Sequence, residues 1–298
     1  MPNTAFRCGL ITLIGRPNVG KSTLLNTLVG KKVSIVTSKP QTTRYRILGI
    51  HTTSKAQFVY IDTPGLHTNI KHAINRRMNR AASNAIAEAD IVLLVAEAGL
   101  WTEDDDHALS RCLGLELPMM LAVNKIDRLK GRAALLPYLD EVQEKADFVS
   151  IVPVSAVTGE NVQKLEELIE PYLPISPRLF PAEQLTDQGG LLRAAECIRE
   201  KIMQTLEQEV PYSAAVSVEE YSKQGEVLRI SAIIWVEREG QKAIVIGHKG
   251  GMLKQIGQAA RMELETENKC KVFLRLWVKV REHWMDDDQT LNTLGLAD

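Results

Sequence analysis

Residues Gly15–Ser22 read G-R-P-N-V-G-K-S between the apolar run Leu10–Ile14 and the helix-like segment Thr23–Leu28. A glycine-rich turn after a strand and before a helix restricts the fold to an α/β arrangement with an anion site at the turn. Gly15 and Gly20 allow the backbone to wrap an oligophosphate with its N–H groups inward, and the helix adds the positive end of its dipole. In that frame Arg16, Pro17, Asn18 and Val19 complete the cradle, Lys21 reaches the β- and γ-phosphates, and the Ser22 hydroxyl sits on Mg²⁺.

Further parts of a nucleotide site follow in order. The apolar run Phe58–Ile61 ends in Asp62-Thr63-Pro64-Gly65; Asp62 is expected to hold Mg²⁺ through water and the Gly65 N–H to approach a γ-phosphate. The run Met119–Val123 ends in Asn124-Lys125-Ile126-Asp127, which selects the base. Guanine offers N1–H and a 2-amino group side by side, and one Asp127 carboxylate accepts both. Adenine would leave that carboxylate desolvated, a cost of roughly 2–4 kcal/mol, or roughly 30–1000-fold in affinity. Asn124 is expected to tie this loop to the P-loop, and the Lys125 stem to cover one face of the ring. Ile151–Val154 then leads into Ser155-Ala156, whose backbone N–H is placed to meet the guanine O6. GTP or GDP with Mg²⁺ is the expected ligand set.

Lys31–Arg46, containing Ser38-Lys39-Pro40-Gln41-Thr42-Thr43-Arg44, is polar and turn-prone, as suits a loop that closes over the metal and γ-phosphate. Thr43 is the expected metal contact, with Thr42 next. Leu66 follows Gly65 where many regulatory GTPases carry a water-orienting Gln. Leucine cannot hydrogen-bond water, so the expectation is slow intrinsic hydrolysis unless another group helps. Asn18 is the candidate, through a potassium ion held at its amide oxygen. Lys21, Thr43, Gly65 and Asn18 are therefore the expected catalytic set.

Composition narrows the partners. The 298 residues hold 36 Lys and Arg against 37 Asp and Glu, a formal net charge of −1, so nucleic-acid binding must come from a local patch. Cys8, Cys112, Cys197 and Cys270 are scattered, which reads as reduced core thiols of a cytoplasmic protein. The histidines at 51, 67, 72, 107 and 283 show no metal-ligand grouping and read as surface residues. No apolar stretch approaches a membrane span, because Ile91–Ala96 is bounded by Asp90 and Glu97.

Alternating strand-like segments near 8–14, 46–52, 56–61, 90–96, 119–124 and 148–153 and helix-like segments near 22–29, 71–88, 103–113, 132–146 and 161–172 predict a mostly parallel, doubly wound sheet over 1–173. Prolines at 171, 174, 177 and 181 mark a linker, 174–188. Beyond it, a helix near 189–208, strands near 213–221 and 227–237, a helix to about 268 and a strand at 272–280 predict a smaller α+β unit over 189–298. Within it Ile246-Gly247-His248-Lys249-Gly250 places a G-x-x-G loop between helical segments, where a nucleic-acid backbone can approach. Gly247, His248, Lys249, Gly250 and Ile246 with Lys254 are the expected RNA contacts. Met252 and Ile256 are expected to line a groove for bases; Arg238, Lys242, Lys254, Lys271 and Arg275 offer a positive rim to it, against the default of a solvated charged face for any one of them. Trp235 and Trp277 are expected in the core.

These motifs, with Q-T-T-R, V-E-R-E-G-Q-K and L-W-V-K-V, make the chain resemble the Era family of bacterial GTPases over essentially its whole length. The resemblance implies a P-loop GTPase domain followed by a KH domain of type II topology. It implies hydrolysis of GTP to GDP and phosphate, and binding near the 3′ end of 16S rRNA to promote rRNA processing and small-subunit biogenesis. It further implies a cytoplasmic monomer, peripheral association with the inner membrane in some members, and a link to cell-cycle control. Two other readings differ in what the second unit does. An RNA-modifying GTPase requires a nucleophile or cofactor site after residue 180, and none is evident; a signalling GTPase requires that the G-x-x-G loop be dispensable.

Overall fold

The structure, a computed structural model, describes residues 5–65, 72–129, 131, 133 and 135–296. They form two compact units. One comprises 5–34, 43–65 and the described part of 78–187; the other comprises 35–42, 72–77 and 188–296.

The first unit is built on strands β1 (Arg7–Ile14), β2 (Ile47–Thr52), β3 (Ala56–Asp62), β4 (Ile91–Glu97), β5 (Met119–Asn124) and β6 (Ser150–Pro153), in the order β2-β3-β1-β4-β5-β6. Only β2 runs antiparallel, against β3. Every residue of β3 and β5 is buried, as strands covered on both faces require, and their sequences are correspondingly continuous rather than alternating. Helices α1 (Lys21–Val29), α2 (Ala73–Ala87), α3 (Glu103–Ser110), α4 (Leu135–Gln143) and α5 (Val162–Ile169) follow the strands. The strand order reverses direction at β1, so the turn after β1 opens at the carboxyl edge where such sheets bind ligands.

Gln57 is a polar residue with no exposed surface in the middle of this apolar layer. Its Oε1 accepts from the backbone N–H groups of Leu179 and Phe180, and its Nε2 donates to the Phe180 carbonyl, each at 2.9 Å. Ile50 N–H donates to Leu185 O at 2.9 Å and Cys8 N–H to Pro174 O at 3.0 Å. The proline-rich segment is therefore bonded along the first unit rather than suspended as a free tether.

The second unit carries α6 (Gly190–Thr205), the short α7 (Val210–Ser213), β7 (Ala215–Gln224), β8 (Val227–Val236), α8 (Glu239–Ile246), α9 (Gly251–Asn268), β9 (Lys271–Val280) and α10 (Asp288–Thr293). The sheet runs β7-β8-β9, with β7 antiparallel and β9 parallel to β8. Alternate residues of β8 (Leu228, Ile230, Ala232, Ile234, Val236) pack with Ile198, Ile202, Ile256, Ala260 and Leu264 of the helices. Cys197 is buried here and Cys270 is half-buried.

Candidate functional site

The turn after β1 takes the predicted form. Gly15 has φ +153 and a Cβ there would stand 2.4 Å from the Val95 carbonyl oxygen; Gly20 has φ +102 and a Cβ would stand 2.4 Å from Asn124 Nδ2. Neither position admits a side chain. Asn18, at φ 63, also lies in the left-handed region, which Asn tolerates. Lys21 is buried, and its Nζ donates to the Gly15 and Arg16 carbonyls at 2.7 and 3.0 Å. Burial is the main cause that lowers its pKa to about 8, against the attraction of Asp62.

Asp62 is completely buried at the end of β3. Its Oδ2 accepts from Ser22 Oγ at 2.6 Å, Ser34 Oγ at 2.9 Å and Thr43 Oγ1 at 3.3 Å. Its Oδ1 is buried with no hydrogen-bond partner. Burial pushes the Asp62 carboxyl pKa up, while the three hydroxyls and Lys21 oppose the shift. A buried carboxylate with one unpartnered oxygen, beside two hydroxyls 2.9 Å from each other (Ser22 and Thr43), is a donor set suited to a hard divalent cation. Of the two adjacent threonines, Thr43 is brought to this cluster. Thr42 turns away, its Oγ1 bonding Thr37 Oγ1 at 2.6 Å and donating to Lys39 O at 2.7 Å. Ser34 is a member that the sequence reading missed, since a lone serine before an apolar pair carries no motif.

Gly65 lies against the P-loop, where a Cβ would be 3.1 Å from Pro17 Cγ and 3.3 Å from its backbone N. Thr63 Oγ1 donates to Leu13 O at 3.0 Å, which anchors the start of the Thr63-Pro64-Gly65 loop to β1. Leu66 falls outside the described residues.

Asn124 joins three loops. Its Nδ2 donates to Val19 O at 2.8 Å and its Oδ1 accepts from Ala156 N–H at 2.9 Å. Ile126 N–H donates to Val154 O at 3.3 Å, and Ser155 Oγ donates to Asp127 Oδ1 at 2.6 Å. Asp127 is exposed at the end of this frame, with one carboxylate oxygen held by Ser155. Lys125, at φ 66, ion-pairs with Glu97 Oε2 at 2.8 Å. Glu97 also receives Arg16 at 3.1 Å, and Arg16 Nε donates to Asp105 at 2.9 Å. Burial would raise the Glu97 pKa, but Lys125 and Arg16 outweigh it and hold the carboxyl below its usual range. Glu97 and Asp105 were not anticipated from the sequence, because nothing in β4 or α3 signals that they reach the P-loop.

In the second unit, α8 ends at Gly247, with φ 73 and ψ 177, and α9 begins after Gly250 at φ 77. A Cβ on Gly247 would stand 2.5 Å from Met252 Cβ, so this position requires glycine on both counts. His248 and Lys249 are exposed between the two. Beside the loop, α9 and β9 enclose a groove of about 580 Å³ lined by Gly250, Leu253, Lys254, Gly257, Arg261 and Leu276 among others. Ile246 and the loop residues 247–249 are not among its walls.

Two expectations are corrected. Ile256 is fully buried in the core and Met252 packs against it, because that face of α9 meets the sheet; Leu253, Gly257 and Arg261 form the groove wall instead. For Lys271 and Arg275 the default of a solvated face holds: they sit at odd positions of β9 and point away from the groove, which receives Leu274 and Leu276. Trp277 is 41% exposed rather than core.

Among the described residues, no group of three or more His, Cys, Asp or Glu forms a metal site, and no helix is long and apolar enough to cross a membrane. His51, read as a surface residue, is half-buried and bonded through Nδ1 to Glu166 Oε1 at 2.8 Å, which Tyr60 OH also reaches at 2.7 Å.

Comparison with known proteins agrees with both halves. Residues 10–125 match the family model of 50S ribosome-binding GTPases and residues 209–285 that of KH domains. The chain is 47% identical over 296 residues to the GTPase Era of Marinobacter nauticus, covering 99% of this chain and 97% of that one. It is 47% identical over 292 residues to the GTPase Era of Pseudomonas aeruginosa, covering 98% and 96%. A crystal structure of an Aquifex aeolicus Era variant bound to GDP and AlF4⁻ superposes with a TM-score of 0.95 at 38% identity, covering 98% of this chain and 100% of that one. A crystal structure of Era with MgGDPNP and nucleotides 1506–1542 of 16S ribosomal RNA is similar to the same degree, with a TM-score of 0.95, 38% identity and the same coverage.

Proposed function

The chain belongs to the Era family of GTPases, and from that premise we propose that it couples its GTP cycle to binding of the 3′ end region of 16S rRNA during small-subunit biogenesis. It is a P-loop GTPase with a KH domain. The observation that carries the coupling is the ownership of one loop. Thr43 Oγ1 bonds Ser22 in the nucleotide cluster, whereas the residues just before it, 35–42, belong to the unit that holds the G-x-x-G loop.

In the proposed mechanism the P-loop N–H groups from Gly15 to Ser22 cradle the phosphates, and Lys21 leaves the Gly15 and Arg16 carbonyls to meet the β/γ-phosphates. Ser22 and Thr43 would hold Mg²⁺, with Asp62 beside them as the carboxylate of the donor set and Ser34 keeping it oriented. When bound, the cation neutralises charge developing between the β- and γ-phosphates. Asn124 fixes the base pocket, Asp127 accepts the two guanine donors, and the Ala156 N–H leaves Asn124 Oδ1 to meet O6. Gly65 N–H approaches the γ-phosphate. Asn18 would hold a potassium ion at its amide oxygen, and the ion would supply positive charge beside the phosphates where Leu66 offers no water-orienting amide. Asn18→Ala, or sodium in place of potassium, is expected to slow single-turnover GTP hydrolysis; rates indifferent to both changes remove the potassium role.

The assignment of 1–173 as GTPase domain, 174–188 as linker and 189–298 as KH domain is part of the same reading, as are RNA contacts by the G-x-x-G loop and Lys254. So are a cytoplasmic location, peripheral inner-membrane association and a cell-cycle link. Vesicle flotation tests the membrane part separately. The experiment for the central proposal is binding of an RNA matching the 16S 3′ end, with a GTP analogue and with GDP, by the native chain and by Gly250→Asp. Binding that depends on nucleotide and is lost in the variant is expected, with reciprocal coupling of about 5–150-fold. Equal affinity in both states would abolish the coupling, and no RNA binding would return the second unit to a protein-binding role.

A further inference from the structure

Strand β9 is the edge of its sheet and presents two different surfaces. Its even positions Leu274 and Leu276 line the groove beside α9. Its odd positions read Lys271, Phe273, Arg275, Trp277 and Lys279, and all five are exposed. Phe273 and Trp277 are 45% and 41% exposed, unusual for large rings in a sheet whose opposite face is packed by helices.

The rings alternate with cations in direct contact. The Arg275 guanidinium lies 5.4 Å from the Phe273 centroid and 5.7 Å from that of Trp277. Arg229, paired with Phe273 in register, lies 5.4 Å from the same ring, and Lys279 lies 5.9 Å from Trp235 in the same way. On this open face Glu220 of β7 accepts from Ser231 Oγ of β8, the register partner of Arg275, at 3.0 Å, and Glu219 accepts from Ser217 Oγ at 3.0 Å, whereas β9 itself contributes cations and rings and no acid. The β9 margin is therefore a positive, aromatic strip on a chain whose net charge is −1.

Single-stranded RNA is the partner that uses all of this. Every base offers a π-face to a ring or a guanidinium, and each phosphate offers a charge to the neighbouring cation. Side chains two apart on a strand repeat about every 6.6–6.8 Å, which suits an extended strand laid along β9. The strip and the groove lie on opposite faces of the same strand. We propose that the open face of the β8–β9 margin is a second single-stranded RNA platform, on which Phe273 and Trp277 stack bases while Arg229, Arg275 and Lys279 meet phosphates. The proposal rests on the RNA-binding reading of the second unit.

The test is a fluorescence-anisotropy titration of the full chain with two labelled single-stranded RNAs. One has about four nucleotides, enough for the G-x-x-G clamp, and one about twelve, within the range of extended single-strand sites. The Phe273→Gln, Trp277→Gln double variant is expected to lose about 30-fold or more for the longer RNA and nothing for the shorter. Trp277→Phe is expected to retain binding. Arg275→Gln is expected to lower the slope of log K against log salt by about 0.7 for the longer RNA alone. Unchanged melting temperature and GTPase rate would show that the variants fold. Equal loss for both RNAs, or loss for neither, overturns the platform; a Gly250→Asp effect without any sheet-face effect leaves the groove reading intact. Failure of the native chain to bind either RNA overturns both.

Discussion

Asp127 shows how little a residue must do on its own once its neighbours hold it. Ser155 Oγ donates to one carboxylate oxygen at 2.6 Å, and Asn124 locks the loop to the P-loop and to Ala156. In the proposed function this carboxylate, held by Ser155, accepts the two adjacent donors of guanine. Asp127→Asn replaces an acceptor by an amide that can also donate, so it is expected to weaken GTP by roughly 30–1000-fold. The same variant should gain affinity for xanthosine triphosphate, which carries a carbonyl where guanine carries its amino group. Competition binding with both nucleotides checks this, and undiminished GTP binding would reassign the base pocket. The residue types at this site were legible because each motif combines a rare composition with a strand end. Ser34, Glu97 and Asp105 were not, because their roles are contacts of 2.9–3.1 Å across 28 to 89 residues of chain.

At the scale of elements, burial patterns translated directly where both sheet faces are covered, and less well where one residue serves two partners. His51 of β2 and Tyr60 of β3 share Glu166 of α5. The hydrogen bond to Glu166 raises the His51 pKa above its ordinary 6.5, and burial, which acts to lower it, offsets this only in part. A raised folded-state pKa means the pair's stabilisation is fully present below pH 6.5 and is lost as pH rises through the folded value. Thermal melting of the native chain should therefore fall as pH climbs from 6 into the alkaline side of that transition, and His51→Gln should flatten that part of the profile. Identical profiles would show that the pair contributes no pH dependence. The proline-rich segment illustrates the limit of local reading. Its composition identified a connection without helix, but its bonds to Gln57 and Ile50 depend on a buried glutamine whose partners lie over 120 residues away.

For the whole molecule, the consequential fact is that 35–42 belongs to the second unit. Helix α6 buries Glu196, Arg199 and Glu200 to within 4% exposure, charges that an amphipathic helix would ordinarily turn to water. Arg199 donates to the Thr42 carbonyl and ion-pairs with Glu196 at 2.7 Å, and Glu200 Oε1 accepts from Val36 N–H at 2.9 Å. Glu200→Ala removes that acceptor from the loop backbone. Amide exchange over 35–42 is expected to accelerate by roughly 5–100-fold, the equivalent of about 1–3 kcal/mol. Nucleotide dependence of RNA binding should shrink with it. Exchange at the native rate would mean that Glu200 does not hold the loop.

The nucleotide motifs, the alternation of strands and helices and the G-x-x-G loop were determined by sequence alone, because each depends on local backbone geometry, periodicity or the absence of a Cβ. Tertiary structure decided which of Thr42 and Thr43 meets Asp62, that Leu253 and Gly257 rather than Met252 and Ile256 wall the groove, and that Trp277 faces out. Each of those choices is a choice of face. Periodicity tells which residues share a face; only the packing of distant elements tells which face is covered.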